Sequence, residues 1–192
     1  AHIAEDLGAK LVTVHGRTRN QMYRGEADWN FVRSVKDAVA IPVIVNGDIL
    51  TADDAREALR QSGADALMLG RGVYGRPWLA AHMERALADG TVLLEPDRKE
   101  RLGIVIEHLR ASVVFYGLPL GLKMFRKHLG WYVEQAPWPA DPLERRAAKS
   151  RLCRLEAPEQ VEQALAALWR EVTHSGNPSV DIPPQLVETA VA

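Results

Sequence analysis

Three short apolar runs dominate the first 70 residues: Leu11-Val12-Thr13-Val14, Ile41-Pro42-Val43-Ile44-Val45 and Ala66-Leu67-Met68-Leu69. Their brevity and near-continuous apolarity predict strands buried on both faces of a parallel sheet. Helical periodicity fills the intervals. Phe31, Val32, Val35 and Val39 recur at helical spacing before the second run, and Thr51 is placed to cap a helix carrying Ala55, Ala58 and Leu59. Gly8-Ala9 and Gly63-Ala64 precede the first and third runs in matching contexts, which sets a β/α repeat of about 27 residues per unit.

A closed (β/α)8 barrel needs about 250 residues and eight strands, so three strands cannot close one. A helix-like opening (Ile3, Ala4, Leu7, ended by Gly8) and the absence of an initial Met point to a chain that starts inside a larger fold. The expectation is therefore an α/β segment, residues 1–92, forming the C-terminal part of a TIM barrel. An open strand edge of this kind would favour self-association.

After Pro96 the pattern is wholly helical, predicting a small all-α bundle over 97–174 and a flexible tail over 175–192. Four apolar stripes define it: Leu102, Val105, Leu109, Val113 and Tyr116; Leu122, Phe125, Leu129 and Tyr132; Ala148, Leu152 and Leu155; and Val161, Leu165, Leu168 and Val172. Gly117 and Pro119 separate the first two helices, and Pro137, Pro139 and Pro142 mark the next loop.

Charge is unevenly distributed although the net value is -1. Residues 97–156 carry 12 Lys and Arg against 7 Asp and Glu, a local excess of +5. On the second helix of this part, Lys123, Arg126 and Lys127 share one face at i, i+3 and i+4, and Arg145 and Lys149 repeat the spacing on the third. Such a face suits either a phosphate backbone or bulk solvent.

With 47% hydrophobic and 26% charged residues, the composition is that of a globular protein and excludes a disordered or fibrous chain. No run approaches the ~18 apolar residues of a membrane span, and Ala1 to Asp6 lack the regions of a signal peptide. The single Cys153 excludes an internal disulfide and a multi-cysteine metal cluster. A cytoplasmic protein without a metal is expected.

In β/α folds the chemistry gathers where strands end. The three runs end in His15-Gly16-Arg17-Thr18-Arg19, Asn46-Gly47-Asp48 and Gly70-Arg71-Gly72, all on one rim. Glycines that admit backbone N–H groups, with a guanidinium beside them, suit a phosphorylated cofactor. Taken singly, Gly-Arg-Gly also fits a plain turn, Asn-Gly-Asp a capping loop, His15 a core histidine, and Arg17, Arg19 and Arg24 a solvated loop.

These segments, together with Gly25-Glu26-Ala27-Asp28, Gly63-Ala64-Asp65, Gly75-Arg76-Pro77-Trp78 and Arg126-Lys127-His128-Leu129-Gly130-Trp131-Tyr132, resemble the bacterial tRNA-dihydrouridine synthases in order and spacing to about residue 172. The resemblance implies an FMN-containing barrel joined to a helical domain that helps hold tRNA. In it, NADPH reduces the flavin, a hydride passes to the C5–C6 bond of uracil, and a cysteine donates the proton. It implies cofactor contacts at His15, Asn46, Gly47, Asp48, Gly70 and Arg71, and tRNA contacts at Arg17, Lys123, Arg126 and Lys127.

The family's catalytic cysteine and a flavin-contacting lysine belong to earlier barrel units, and Cys153 sits in the helical part as a small apolar residue. Uridine reduction by this chain alone is therefore not expected. Two other readings compete: a half-barrel of another FMN enzyme acting on free pyrimidines, and a non-catalytic RNA-binding or scaffold protein with a remnant barrel. Neither the uridine position nor the oligomeric state is legible.

Overall fold

A computed structural model describes residues 1–22, 24–136 and 141–171. The expected tail, Val172, Pro137 and Pro139 lie outside the described residues. The element order is α1 (His2–Asp6), β1 (Val12–His15), α2 (Trp29–Lys36), β2 (Val43–Asn46), α3 (Ala52–Ser62), β3 (Ala66–Met68), a 3-10 turn (Arg71–Val73), α4 (Leu79–Asp89), α5 (Arg98–Tyr116), α6 (Leu118–Gln135), α7 (Pro142–Leu152) and α8 (Pro158–Glu171). None of the described helices is long and apolar enough to cross a membrane.

The strands form one parallel sheet in sequence order, with Val12 beside Val43 and Ile44 beside Ala66. Strand period two sends alternate side chains to opposite faces. Val43 and Val45 are fully buried, and with Val12, Val14 and Leu67 they pack on Val32, Ala55, Ala58 and Met83 of α2, α3 and α4. Contrary to the expectation of strands buried on both faces, Thr13, His15, Ala66 and Met68 on the other face are exposed. Helices cover a single side of this sheet in the described residues, and Phe31 of the expected α2 stripe also points outward.

Local signals set the element ends. Thr51 and Asp54 form a reciprocal capping box at α3, which stops at Gly63 in the left-handed conformation. Asp28 caps α2 by accepting from the Phe31 amide at 2.9 Å. Asp65 accepts from the Val43 amide at 2.8 Å and pairs with Lys36, so the loop entering β3 is tied to both β2 and α2.

Helices α5 to α8 pack around a second core of Val105, Leu109, Leu122, Phe125, Leu129, Val133, Leu152, Val161 and Leu165. The helical part thus buries what its stripes predict, except that Tyr116 is exposed. Close approach of α5 and α6 depends on Gly121, where an added Cβ would sit 2.4 Å from the Ser112 carbonyl oxygen. Arg110 grips Glu162 of α8 through two hydrogen bonds of 2.7 and 2.6 Å.

Fully buried Phe125 lies at the centre of this cluster. Phe125→Ala is expected to destabilise the helical part by about 3–5 kcal/mol, measurable as a lowered midpoint in chemical denaturation. An unchanged midpoint would contradict the packing described.

Candidate functional site

The three strand-end loops meet in one cleft of about 210 Å³, lined by His15, Arg17, Asn46, Gly47, Asp48, Ile49, Leu50, Gly70, Arg71, Gly72 and Tyr74. All six expected cofactor residues lie along it. The arrangement follows from parallel register: His15 pairs with Asn46 and Asn46 with Met68, so the residues that leave each strand emerge side by side.

Backbone and side-chain bonds lock the loops together. The Gly16 amide donates to the Asn46 carbonyl at 3.0 Å, and Asn46 Nδ2 donates to the Met68 carbonyl at 2.7 Å. Gly47 has φ +120°, and a Cβ there would meet the His15 ring at 2.9 Å and the Ala27 methyl at 2.8 Å. Asp48 follows at φ 54°, a left-handed conformation that aspartate tolerates better than most residues. Its Oδ2 accepts from the Ala27 amide at 2.8 Å and from Arg17. Trp29 Nε1 closes the loop by donating to the Gly47 carbonyl at 2.9 Å.

Arg17 is the centre of this lattice. Its side chain is only 5% exposed, pairs with Asp48 and donates to the Gly25 carbonyl at 2.7 Å. Arg17, expected to contact tRNA, turns its guanidinium inward, because Asp48 and the Gly25 carbonyl offer it charge and acceptors under the rim. The Gly25-Glu26-Ala27-Asp28 segment supplies an acceptor, a donor, a methyl contact and a helix cap.

Burial alone would raise the Asp48 carboxyl, but the hydrogen bond from Arg17, the Ala27 amide and the charges of Arg17 and Arg71 outweigh it and hold the group below its usual 3.8. Arg17 Nε and Nη1 are buried without partners. Buried donors of this kind match acceptor atoms of a ligand entering the cleft. Together with the exposed Arg71 and the two glycines flanking it, they fit an anionic, oxygen-rich cofactor such as FMN.

The basic helical face is narrower than its spacing suggests. Lys123 and Lys127 are exposed on α6. Arg126 instead donates to the Leu155 carbonyl at 3.0 Å, bracing α6 against the end of α7. Arg145 caps α6 by donating to the carbonyls of Val133, Glu134 and Ala136, and Lys149 pairs with Glu134 at 2.6 Å. Arg126, expected among the tRNA contacts, is thus engaged with the connection between α7 and α8, while Arg145 serves the carbonyls that end α6. Cys153 caps α7 beside the helical core, its Sγ 3.9 Å from the Arg126 carbonyl and away from the cleft.

Sequence reasoning missed three participants. Tyr74 lines the cleft, and α4 went unread because its apolar residues are mostly alanine. Glu95 joins Arg76 at 2.5 Å, Trp78 Nε1 at 2.8 Å and Arg101 at 3.1 Å, fastening the third rim loop to the start of α5.

The Asp48 carboxyl has a lowered folded-state value, so its stabilising effect is complete above about pH 4 and is lost as pH falls through the depressed value. Asp48→Asn is expected to cost about 1–3 kcal/mol at neutral pH by leaving Arg17 uncompensated. The difference should shrink in denaturation measured below pH 3.8, and a difference that stays constant with pH would contradict the pairing.

Comparison with known proteins places these features in a family. The dihydrouridine synthase family model matches residues 1–172. A probable tRNA-dihydrouridine synthase of Rickettsia conorii is 50% identical over 137 residues, covering 71% of this chain and 41% of that protein. tRNA-dihydrouridine synthase B of Xanthomonas axonopodis is 44% identical over 141 residues, covering 73% and 42%, and that of Pasteurella multocida is 40% identical over 134 residues, covering 70% and 40%. The chain thus spans about two fifths of the length of these curated relatives. With the match running through all three rim loops and on to α8, this chain belongs to the dihydrouridine synthase family.

Proposed function

We propose that this chain supplies the FMN-phosphate rim and the tRNA-facing helices of a tRNA-dihydrouridine synthase that acts in the cytoplasm. The observation that carries the reading is the interlocked cleft, in which three strand ends converge on a buried, partly unpaired Arg17. In this reading the three β/α units are the C-terminal part of a TIM barrel, and the exposed sheet face belongs to the barrel interior.

The chemistry that FMN brings to this family is hydride transfer, from NADPH to the flavin and from the flavin to the C5–C6 double bond of uracil in tRNA. The residues of this chain hold and orient. Arg71 and the amides of Gly70 and Gly72 take the phosphate, while Gly47 keeps the second loop low enough to admit the cofactor. Asn46 is fixed by the Met68 carbonyl, and its remaining acceptor faces the cleft shared with His15. Lys123 and Lys127 contact the phosphate backbone, a role that orients tRNA without reading its sequence.

Proton delivery to the uracil ring is not among these roles. The only cysteine, Cys153, is committed to the α7 cap, so no thiol of this chain reaches the cleft. The 192-residue chain is expected to give no dihydrouridine from tRNA and NADPH, assayed by nucleoside mass spectrometry; turnover would overturn this assignment.

Binding is testable separately. FMN added to the chain should lose fluorescence, and Arg71→Ala should weaken binding by about 10–100-fold, the scale of one charged hydrogen bond. The double variant Lys123→Ala/Lys127→Ala should weaken tRNA binding and reduce the slope of log affinity against log salt by about 2. Salt-dependent tRNA binding without any FMN binding would favour a non-catalytic RNA-binding module, and FMN binding without tRNA binding an enzyme of free pyrimidines.

A further inference from the structure

Tyr74 belongs to two parts of the molecule at once. It lines the cleft, and its ring stacks on Trp131 of α6 with centroids 3.6 Å apart and planes at 12°. Its amide donates to the Arg71 carbonyl at 3.0 Å, and the preceding Val73 amide donates to the Gly70 carbonyl at 3.3 Å. The residue that carries the stacked ring is thus also bonded, through its amide, to the backbone of Arg71.

The helical side of the stack is backed by further rings. His128 meets the Trp131 ring edge-on at 5.3 Å, His108 lies 4.5 Å behind His128, and His108 Nδ1 is hydrogen-bonded to the Tyr132 hydroxyl at 3.0 Å. Next to Tyr74, Gly75 lies against α6 so closely that a Cβ would stand 2.4 Å from the Trp131 carbonyl oxygen. Ring and backbone thus approach Trp131 together, and the third rim loop has no independent position.

We propose that Trp131 is a positioning residue for the cofactor site: through Tyr74 it sets the place of Arg71 and of the Gly70–Gly72 amides, so that the helical part determines how well the rim grips phosphate. This rests on the reading of the cleft as the FMN site. Trp131 reaches the cleft only through Tyr74 and is not itself a lining residue, and it lies outside the buried helical core, so its replacement should leave the bundle folded.

The test uses the 192-residue chain with Trp131→Phe, which keeps a stacking ring, and Trp131→Leu, which removes it. Far-UV circular dichroism checks the helices, FMN titration reads affinity, and amide NMR shifts of Gly70, Arg71 and Gly72 read loop position without cofactor. The expected result is unchanged helicity, FMN binding weakened about tenfold in Trp131→Leu, the scale of one lost aromatic stack, near-original binding in Trp131→Phe, and displaced rim shifts in Trp131→Leu alone. Unchanged rim shifts and unchanged FMN affinity in Trp131→Leu would overturn the proposal.

If the original chain binds no FMN, the flavin reading fails, and the rim shifts alone then decide whether Trp131 positions the loop. Should Trp131→Leu lose helicity, Tyr74→Leu breaks the same stack from the rim side with the helical core untouched. Displaced Gly70–Gly72 shifts in Tyr74→Leu, restored in Tyr74→Phe, support the proposal, and undisturbed shifts overturn it.

Discussion

The ion pair between Arg17 and Asp48 is the interaction on which the rim depends. Each partner comes from a different strand end, and neither would hold its position alone. Asp48 sits in a left-handed conformation that costs free energy, and Arg17 is nearly buried with donors to satisfy. Their pairing, with the Gly25 carbonyl and the Ala27 amide, folds the long connection after β1 onto the loop after β2 as one surface. Glycine at 47 is the steric condition for it, because the His15 ring and the Ala27 methyl occupy the space a side chain would need.

The same economy governs the connection between the two parts of the chain. Between β3 and α5 the backbone passes Arg76, Trp78 and Glu95, and the Glu95 carboxylate draws donors from both sides: Arg76 and Trp78 from the rim, Arg101 from α5. Arg101 also lies over the Trp78 ring, 5.1 Å from its centroid. Burial by itself would raise Glu95, and these donors and charges hold it below the ordinary carboxylate value. A charged hub and an aromatic stack therefore fasten the helical part to the rim at two points.

Much of this was legible in the residues. Strand period and length gave away β1, β2 and β3 to within two residues, and Thr51 with Asp54 marked α3 because a capping box is a purely local device. The rim loops were found because parallel strands must end together. What stayed hidden depends on tertiary partners. Arg17 and Lys123 look alike in a sequence, yet one is buried on Asp48 and the other is exposed, and only the distant carboxylate separates them. Arg126 and Arg145 belong to the basic spacing, but one is drawn to a carbonyl in the connection after α7 and the other to the carbonyls that end α6. The open face of the sheet was misread for a related reason: an apolar run records that a strand can be buried on both sides, while Thr13, His15 and Met68 show which side these helices leave uncovered.

The central claim is that the converging strand ends form the FMN-phosphate site, and a crystal structure of the chain grown with FMN tests it most directly. The account predicts the phosphate at the Gly70–Gly72 backbone and Arg71, with the Arg17–Asp48 pair intact beneath the flavin. Flavin density on the helices or elsewhere on the sheet, with the rim loops unchanged, would contradict it.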